Sequence, residues 1–282
     1  MISKKNSKKN SRTDLGISTA PGDAITFSFG QNWREFLSSI TAEQIQSAAE
    51  DIQFWLGTDG VQGKSVVDIG SGSGIHSFAF CQLGARQVVS FDLDLRSVEA
   101  TRILWEKAGR PGHWSVLQGS VLDQAFVDDL GSFDLVYAWG SLHHTGALWR
   151  ALENACSLVQ RSGGILWISL YAQGPNYQKH LALKKRYNAA TDLGKRLMIG
   201  AHIARNILFV RLRHLKNPFS WNTKKERGMS EYHDIVDWLG GLPYEVASED
   251  EVLRFARSRG FILERIKVSG EGACNNYVFS AP

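Results

Sequence analysis

The stretch VVDIGSGSGIHSFAF, Val66 to Phe80, decides how this chain is read. Val66–Ile69 is a short apolar run that reads as a buried strand, and the residues from Ile75 read as a helix. Between them glycine recurs at every second position, Gly70, Gly72 and Gly74. Glycine lets the backbone turn sharply and approach a ligand with no Cβ in the way. A strand-to-helix turn of this kind is where open α/β sheets bind their ligands. The dinucleotide fingerprint is GxGxxG, but this stretch reads D-x-G-x-G-x-G, with Asp68 two residues before the first glycine. A carboxylate there repels a pyrophosphate and suits a ligand with a cationic end.

Outward from this turn, the chain alternates strand and helix patterns. The strand candidates are Ser65–Ile69, Gln87–Asp92, Trp114–Gln118, Phe133–Trp139 and Ile165–Leu170. Helical patterns lie near Ile75–Leu83, Leu95–Ala108 and Ala147–Val159, and a further one runs up to Leu56. Strands separated by helices imply parallel βαβ units in a doubly wound α/β sheet. The rhythm breaks over residues 171–246 and resumes with a helix, Ser248–Arg259. FILERIKV and NNYVFSA follow as two closely spaced strands, an antiparallel pair at one sheet edge. The expected division is a basic disordered leader (1–23), a core with N-terminal cap helices (24–170), a mainly helical lid insertion (171–246) and the last helix and two strands of the core (247–282). The sheet would then be seven-stranded and mostly parallel, Rossmann-like, with an antiparallel edge strand.

Charge is unevenly distributed in this 282-residue chain of net charge +4. The first twelve residues carry +5, and residues 179–227 hold thirteen Lys/Arg against Asp192 and Glu226. The remainder is therefore acidic, which disfavours nucleic acid as a partner except at the insert. No apolar run is long enough to cross a membrane, and the N-terminus lacks the apolar region of a secretory signal. Cys81, Cys156 and Cys274 lie far apart without a CxxC, which fits a reducing cytoplasm.

Further signals follow the glycine turn. VVSFDLD ends its strand at Asp92, eighteen residues beyond Gly74, where a carboxylate can accept two ribose hydroxyls. LQGSVLD follows the third strand, and FDLVYAWGSLHHTG forms the fourth strand and its loop. These four blocks in this order resemble the class I S-adenosylmethionine-dependent methyltransferases, over about residues 25–282. FSFGQNW, LHHTG, RGMS...HD..DWLGG.P.EVA and CNNYVF are similar to one bacterial subgroup of that superfamily.

The resemblance implies S-adenosyl-L-methionine as cofactor and S-adenosyl-L-homocysteine as product. Asp68, Gly70, Gly72 and Gly74 would hold the methionine end, Asp92 the ribose, and Leu93 the adenine face. Ser120 and Val121 would meet the adenine edge; many relatives carry Asp at the Ser120 position, and Asp123 is the candidate substitute. Trp139 and Gly140 would close over the methionine portion, and Gln31 and Trp33 would cover the cofactor. Asp94 reads as a solvated helix cap.

Methyl transfer from a sulfonium is an in-line displacement with a neutral leaving group, so it needs alignment but no metal. A hydroxyl or ammonium acceptor is helped by a base. His143 and His144 follow the fourth strand and are the candidates, with a structural role as the alternative for both. Tyr171, Arg227 and His233 are candidate substrate contacts, and Glu153 and Asn154 read as surface or capping groups. In the insert, Lys184, Lys185, Arg186, Arg205, Arg211 and Arg213 could attract an anionic substrate. The pattern over Lys195–Lys216 has three open readings: a lid helix packed on the domain or on a homodimer mate, a peripheral membrane helix, or a nucleic-acid contact. The leading expectation is O- or N-methylation of a small or medium-sized metabolite. A macromolecular methyltransferase and a non-catalytic cofactor-binding protein are the alternatives. By resemblance, the lack of an Asn-Pro-Pro-Tyr-type sequence after the fourth strand disfavours amide and base-amine targets.

Overall fold

The computed structural model describes residues 17–19, 25–27, 29–30, 41–205, 209–215, 217 and 231–282. Strands β1 (Ile17–Thr19) and β2 (Ile25–Phe27) form a small antiparallel ladder. The expected structureless leader therefore contains a strand, because Ile17 and Ile25–Phe27 supply β-prone residues on either side of a Pro-Gly turn signal.

The main sheet holds β3 (Ser65–Ile69), β4 (Gln87–Asp92), β5 (Trp114–Gln118), β6 (Leu135–Trp139), β7 (Ile165–Tyr171), β8 (Ile262–Lys267) and β9 (Cys274–Ser280). Its order is β5-β4-β3-β6-β7-β9-β8. The first five strands are parallel, and β9 runs antiparallel to both β7 and β8. The chain winds outward from β3 through β4 to β5, then returns to the other side of β3 with β6. Ligands bind at such a reversal, at the carboxyl ends of β3 and β6. Phe133 was expected inside the fourth strand; it makes only an isolated bridge to Val159.

Successive strand residues face opposite sides of the sheet, and both faces are covered. Val67, Ile69, Phe91 and Ile168 belong to one buried cluster; Val66, Phe80, Trp114 and Trp167 belong to the other. All five residues of β3 are buried, as a central parallel strand requires.

The helices are α1 (Ala42–Leu56), α2 (Ile75–Gln82), α3 (Leu95–Lys107), α4 (Gln124–Leu130) and α5 (Leu148–Ser157) around the core. α6 (Tyr177–Ala189), α7 (Asp192–Ile203), α8 (Phe209–Arg213) and α9 (Glu231–Gly240) lie in the insert, and α10 (Glu249–Ser258) follows it. Thr41 and Gln44 form a capping box on α1, as Ser248 and Glu251 do on α10. The insert has its own small core of Tyr187, Ile199, Ile235 and Leu239. A second cluster, Tyr171, Leu242 and Tyr244, joins it to the sheet. The helix expected over Lys195–Lys216 overlaps α7, which ends at Ile203, and α8, which begins at Phe209; residues 206–208 and 216 of that expectation lie outside the described residues.

Candidate active site

The glycine turn is held on three sides. Gly70 and Ser71 donate their amides to the Phe91 carbonyl at 2.8 and 3.1 Å, and Gly74 donates to Ser71 at 2.8 Å. Thr101 of α3 donates to the Gly72 carbonyl at 3.1 Å. Gly70 has a φ of +73°, and a Cβ on it would lie 2.4 Å from the Ser141 Cβ. That space is taken because Ser141 reaches across to the Ile69 carbonyl at 2.7 Å. Gly70 is thus required both by its backbone conformation and by the close approach of the loop after β6.

Asp68 is buried behind this turn. Ser77 donates to its carboxylate at 2.5 Å, Ser90 to Ser77 at 2.6 Å, and the Trp114 indole N–H to Ser90 at 2.7 Å. An indole nitrogen only donates, so the relay has one polarity and ends on the Asp68 carboxylate. Burial, opposed by Ser77 and helped by the charge of Asp92, raises the Asp68 carboxyl from 3.8 to about 7. Asp92 accepts Gly72 N–H at 3.1 Å on one oxygen and Asp94 N–H at 3.0 Å on the other. Burial lifts it to about 6. The Leu93 N–H also favours the ionised carboxylate, whose four acceptor sites still leave room for a ligand hydroxyl. The result is two carboxyls, strongly desolvated beside left-handed glycines, in a place that favours an incoming cation and hydroxyl donors.

On the neighbouring edge, Leu93 is 62 % exposed, available to pack on a flat ring. Ser120 accepts Leu122 N–H at 3.1 Å, and Val121 is buried. Asp123, the candidate substitute for the missing acid at Ser120, is the N-cap of α4, its Oδ1 accepting the Ala125 and Phe126 amides at 3.1 and 3.3 Å. Asn154 is no surface group either; it is buried and donates to the Val121 carbonyl at 2.7 Å. Glu153 is the surface group expected, ion-paired to Arg259. Asp94 caps α3 through Arg96 N–H at 3.0 Å and also accepts Gly30 N–H at 2.9 Å. The neighbouring Phe29 ring lies 4.9 Å from that of His144. Phe29 and Gly30 therefore bridge the loops after β4 and β6; Gln31 and Trp33 lie outside the described residues.

Beyond β6, half-buried Trp139 leads to Gly140, whose φ of +73° turns the chain. His143 is only 1 % exposed. Its Nδ1 accepts Tyr171 N–H at 3.3 Å, and its ring lies 4.1 Å from the Tyr171 ring. Burial, then the charges of His144 and Lys184, hold it well below the usual histidine range. His144 is half-buried and donates from Nδ1 to the Pro243 carbonyl at 2.7 Å, which leaves Nε2 as the acceptor. Burial and the charge of Lys184 push it down to about 3.

The segment that leaves the insert is laid along this loop. Glu245 N–H donates to the His143 carbonyl at 3.1 Å, while its carboxylate accepts Leu148 N–H at 3.2 Å at the start of α5. Ala247 donates to the Tyr171 carbonyl at 3.0 Å and accepts from Gln173 at 3.1 Å. Glu245 and Pro243 are site-building residues that sequence reasoning did not single out, although the string P.EVA contained them.

Tyr171 lies under the insert, 8 % exposed, its ring 5.2 Å from that of Tyr244. Lys184, expected as a surface attractor for anions, is fully buried. Its ammonium lies 4.6 Å from the Tyr244 ring, 4.8 Å from Trp238 and 5.5 Å from Tyr171, and donates to the Trp238 carbonyl. Burial lowers it to about 7. His233 sits in the first turn of α9, its ring 5.7 Å from that of Tyr232. Arg227 lies outside the described residues.

Residues 66–164 match the family described as a methyltransferase domain. Among curated relatives, the ribosomal protein L11 methyltransferase of Tolumonas auensis is 44 % identical over 48 residues, 17 % of this chain and 16 % of that protein. The ubiquinone biosynthesis O-methyltransferase of Idiomarina loihiensis is 33 % identical over 113 residues, 40 % of this chain and 44 % of that protein. The chain thus spans less than half the length of these relatives. Among solved structures, magnesium protoporphyrin IX methyltransferase from Synechocystis, with bound SAH, superposes with a TM-score of 0.54 at 15 % identity, covering 89 % of this chain and 94 % of that one. A putative S-adenosyl-L-methionine-dependent methyltransferase from Methanococcus maripaludis gives 0.51 at 15 % identity, over 89 % and 91 %. Residues 66–164 thus resemble a methyltransferase domain, and the chain has the seven-stranded Rossmann-like fold of these methyltransferase structures.

Proposed function

We propose that this protein is a cytoplasmic S-adenosylmethionine-dependent methyltransferase acting on an oxygen or nitrogen of a small or medium-sized metabolite. The observation that carries the reading is the pair of desolvated carboxyls, Asp68 and Asp92, set on a left-handed glycine turn. Their donor set fits S-adenosylmethionine: an ammonium for the Asp68 side, ribose hydroxyls for the remaining acceptor sites of Asp92, and the exposed face of Leu93 for adenine. That cofactor supplies an electrophilic methyl on a positively charged sulfur.

The chain's own work is then alignment and exclusion of water. Asp68, oriented by Ser77, Ser90 and Trp114, anchors one end; Asp92 anchors the middle; Phe29 and Gly30 cover the edge. His144 is the candidate base, because its Nδ1 is committed to Pro243 and its neutral ring offers Nε2 to an acceptor proton. His143 holds the loop. A histidine with so low a pKa is a weak base, which suits an acceptor whose proton leaves easily. Tyr171 and the 242–246 segment line the acceptor side, with Arg227 and His233 as further candidates from the insert.

The small-molecule reading draws on the O-methyltransferase and protoporphyrin methyltransferase names above. A macromolecular acceptor is the second reading, favoured by the ribosomal-protein methyltransferase relatives. One experiment separates them. Methyl-labelled S-adenosylmethionine is incubated with the protein and a size-fractionated bacterial extract, with nuclease- and protease-treated controls. Label in the small-molecule fraction is expected. Label that disappears with nuclease or protease treatment would overturn the metabolite reading, and cofactor binding without any transfer would leave a binding protein.

A further inference from the structure

α7 has two apolar stripes, and the fold uses one. At 100° per residue, Met198, Ile199, His202 and Ile203 share the inward face. Met198, Ile199 and Ile203 pack with Tyr187, Ile235 and Leu239 of α6 and α9. On the opposite face lie Leu193, Leu197, Ala201 and Ala204, again at helical spacing. Leu193 is 68 % exposed and Leu197 66 %, and both alanines are exposed. Arg196 and Arg205, both exposed, flank this outer stripe on its two sides. Further along, α8 and its end repeat the composition: Leu212 and Leu215 are 57 % and 97 % exposed, with Arg211 and Arg213 beside them.

Charge selects the occupant. Residues 179–227 carry thirteen Lys/Arg against two acids, so a second copy of the same stripe would bring like charges together. Nucleic acid would satisfy the arginines and leave the leucines in water. A surface with phosphates above an apolar layer satisfies both. No helix among the described residues is long and apolar enough to cross a membrane, so the contact is lateral.

We propose that the outer face of α7 is a docking surface for an anionic lipid bilayer. Leu193 and Leu197 enter the interface, and Arg196 and Arg205 meet lipid phosphates.

The test is vesicle flotation of the full-length protein, read independently of methyl transfer. The probes are phosphatidylcholine vesicles and vesicles with about one third phosphatidylglycerol, in low and high salt. The wild type is expected to float with the anionic vesicles, and high salt should weaken this. Leu193→Ser with Leu197→Ser should lower partitioning about tenfold or more. Arg196→Gln and Arg205→Gln should each lower it about fivefold. None of these side chains packs inward, so melting temperature and cofactor affinity should stay at wild-type values. Three results would overturn the proposal: no flotation with anionic vesicles, flotation unchanged in the leucine double variant, or binding to a short RNA that outcompetes the vesicles and ignores the leucine changes.

Discussion

Asp68 and Asp92 fix the sign of the donor site's pH dependence. Their carboxyls sit at about 7 and about 6, both above the ordinary 3.8, and burial is the main cause. For these two groups, folding stability is complete below the unfolded value and is lost as pH rises through about 6 to 7. A ligand that needs both ionised behaves oppositely. Affinity for S-adenosylmethionine should tighten between pH 5 and 7, by up to about tenfold per unit for each carboxyl still protonated, and level off above 7. Calorimetry in buffers of different ionisation enthalpy should show protons released on binding. The two histidines separate by burial. His144→Ala should lower turnover about 100-fold if the acceptor carries a proton to be removed, more than the about 1–3 kcal/mol of stability lost with its bond to Pro243 would explain. His143→Ala should instead cost about 2 kcal/mol of stability, because it empties a buried, hydrogen-bonded position. Equal wild-type rates in both variants would remove the base from the mechanism. Asp68, Asp92 and the glycines could be picked out in the sequence because their spacing is local. The Trp114–Ser90–Ser77 relay could not, since its members come from β5, β4 and α2 and meet only through sheet register.

Elements with buried faces were readable from period alone. β3, β4 and β5 run over the residues expected, and α10 lies inside the expected Ser248–Arg259, which its capping box announces. α6 was missed because it buries little, chiefly Lys184 and Tyr187, so no apolar period marks it. The same lack of pattern hid the destination of Lys184. A lysine in a basic run reads as solvated, yet three aromatic rings from β7, α9 and the following segment enclose this one. The segment from Leu242 to Ala247 has no regular structure, and its role comes from pairing with the histidine loop. Glu245→Ala tests that role. It removes the carboxylate that receives Leu148 N–H at the start of α5, a cap worth about 1 kcal/mol. It also frees the strap that carries the Pro243 carbonyl to His144. Denaturant melts should show the small loss, and turnover should fall by more than that loss explains.

At the scale of the whole molecule, the described residues join insert and core at the end of β7 and again at the β8–β9 turn, where Trp238 donates to the Gly272 carbonyl at 2.8 Å and Asn176 to Glu271 at 2.8 Å. Tyr171, Ala172 and Gln173 leave the sheet beside the returning Ala247. Tyr171, Leu242 and Tyr244 then cluster above that first junction. Thermal unfolding is therefore expected as one transition, with a calorimetric enthalpy equal to the van't Hoff value. S-adenosylhomocysteine at about one hundred times its dissociation constant should add about 2.7 kcal/mol. That corresponds to a rise of about 5 °C or more in the melting temperature. A second, ligand-independent transition would mean that the insert melts by itself.

The latch at Gly30 bears on how fast the protein can cycle. One Asp94 oxygen caps α3, and the other holds Gly30 in place. Gly30 seats so closely that a Cβ would lie 2.3 Å from the Arg96 Cβ and 2.5 Å from the Ser97 nitrogen. If Phe29 and Gly30 cover the donor, as proposed, exchange of spent for fresh donor requires both the Gly30–Asp94 and the Phe29–His144 contacts to open. Gly30→Ala cannot seat, so its complex with S-adenosylhomocysteine should have a shorter dwell time in stopped-flow displacement, and product inhibition should weaken with it. The rhythm of turnover would be set in part by a glycine at the amino end of the chain, far in sequence from both histidines.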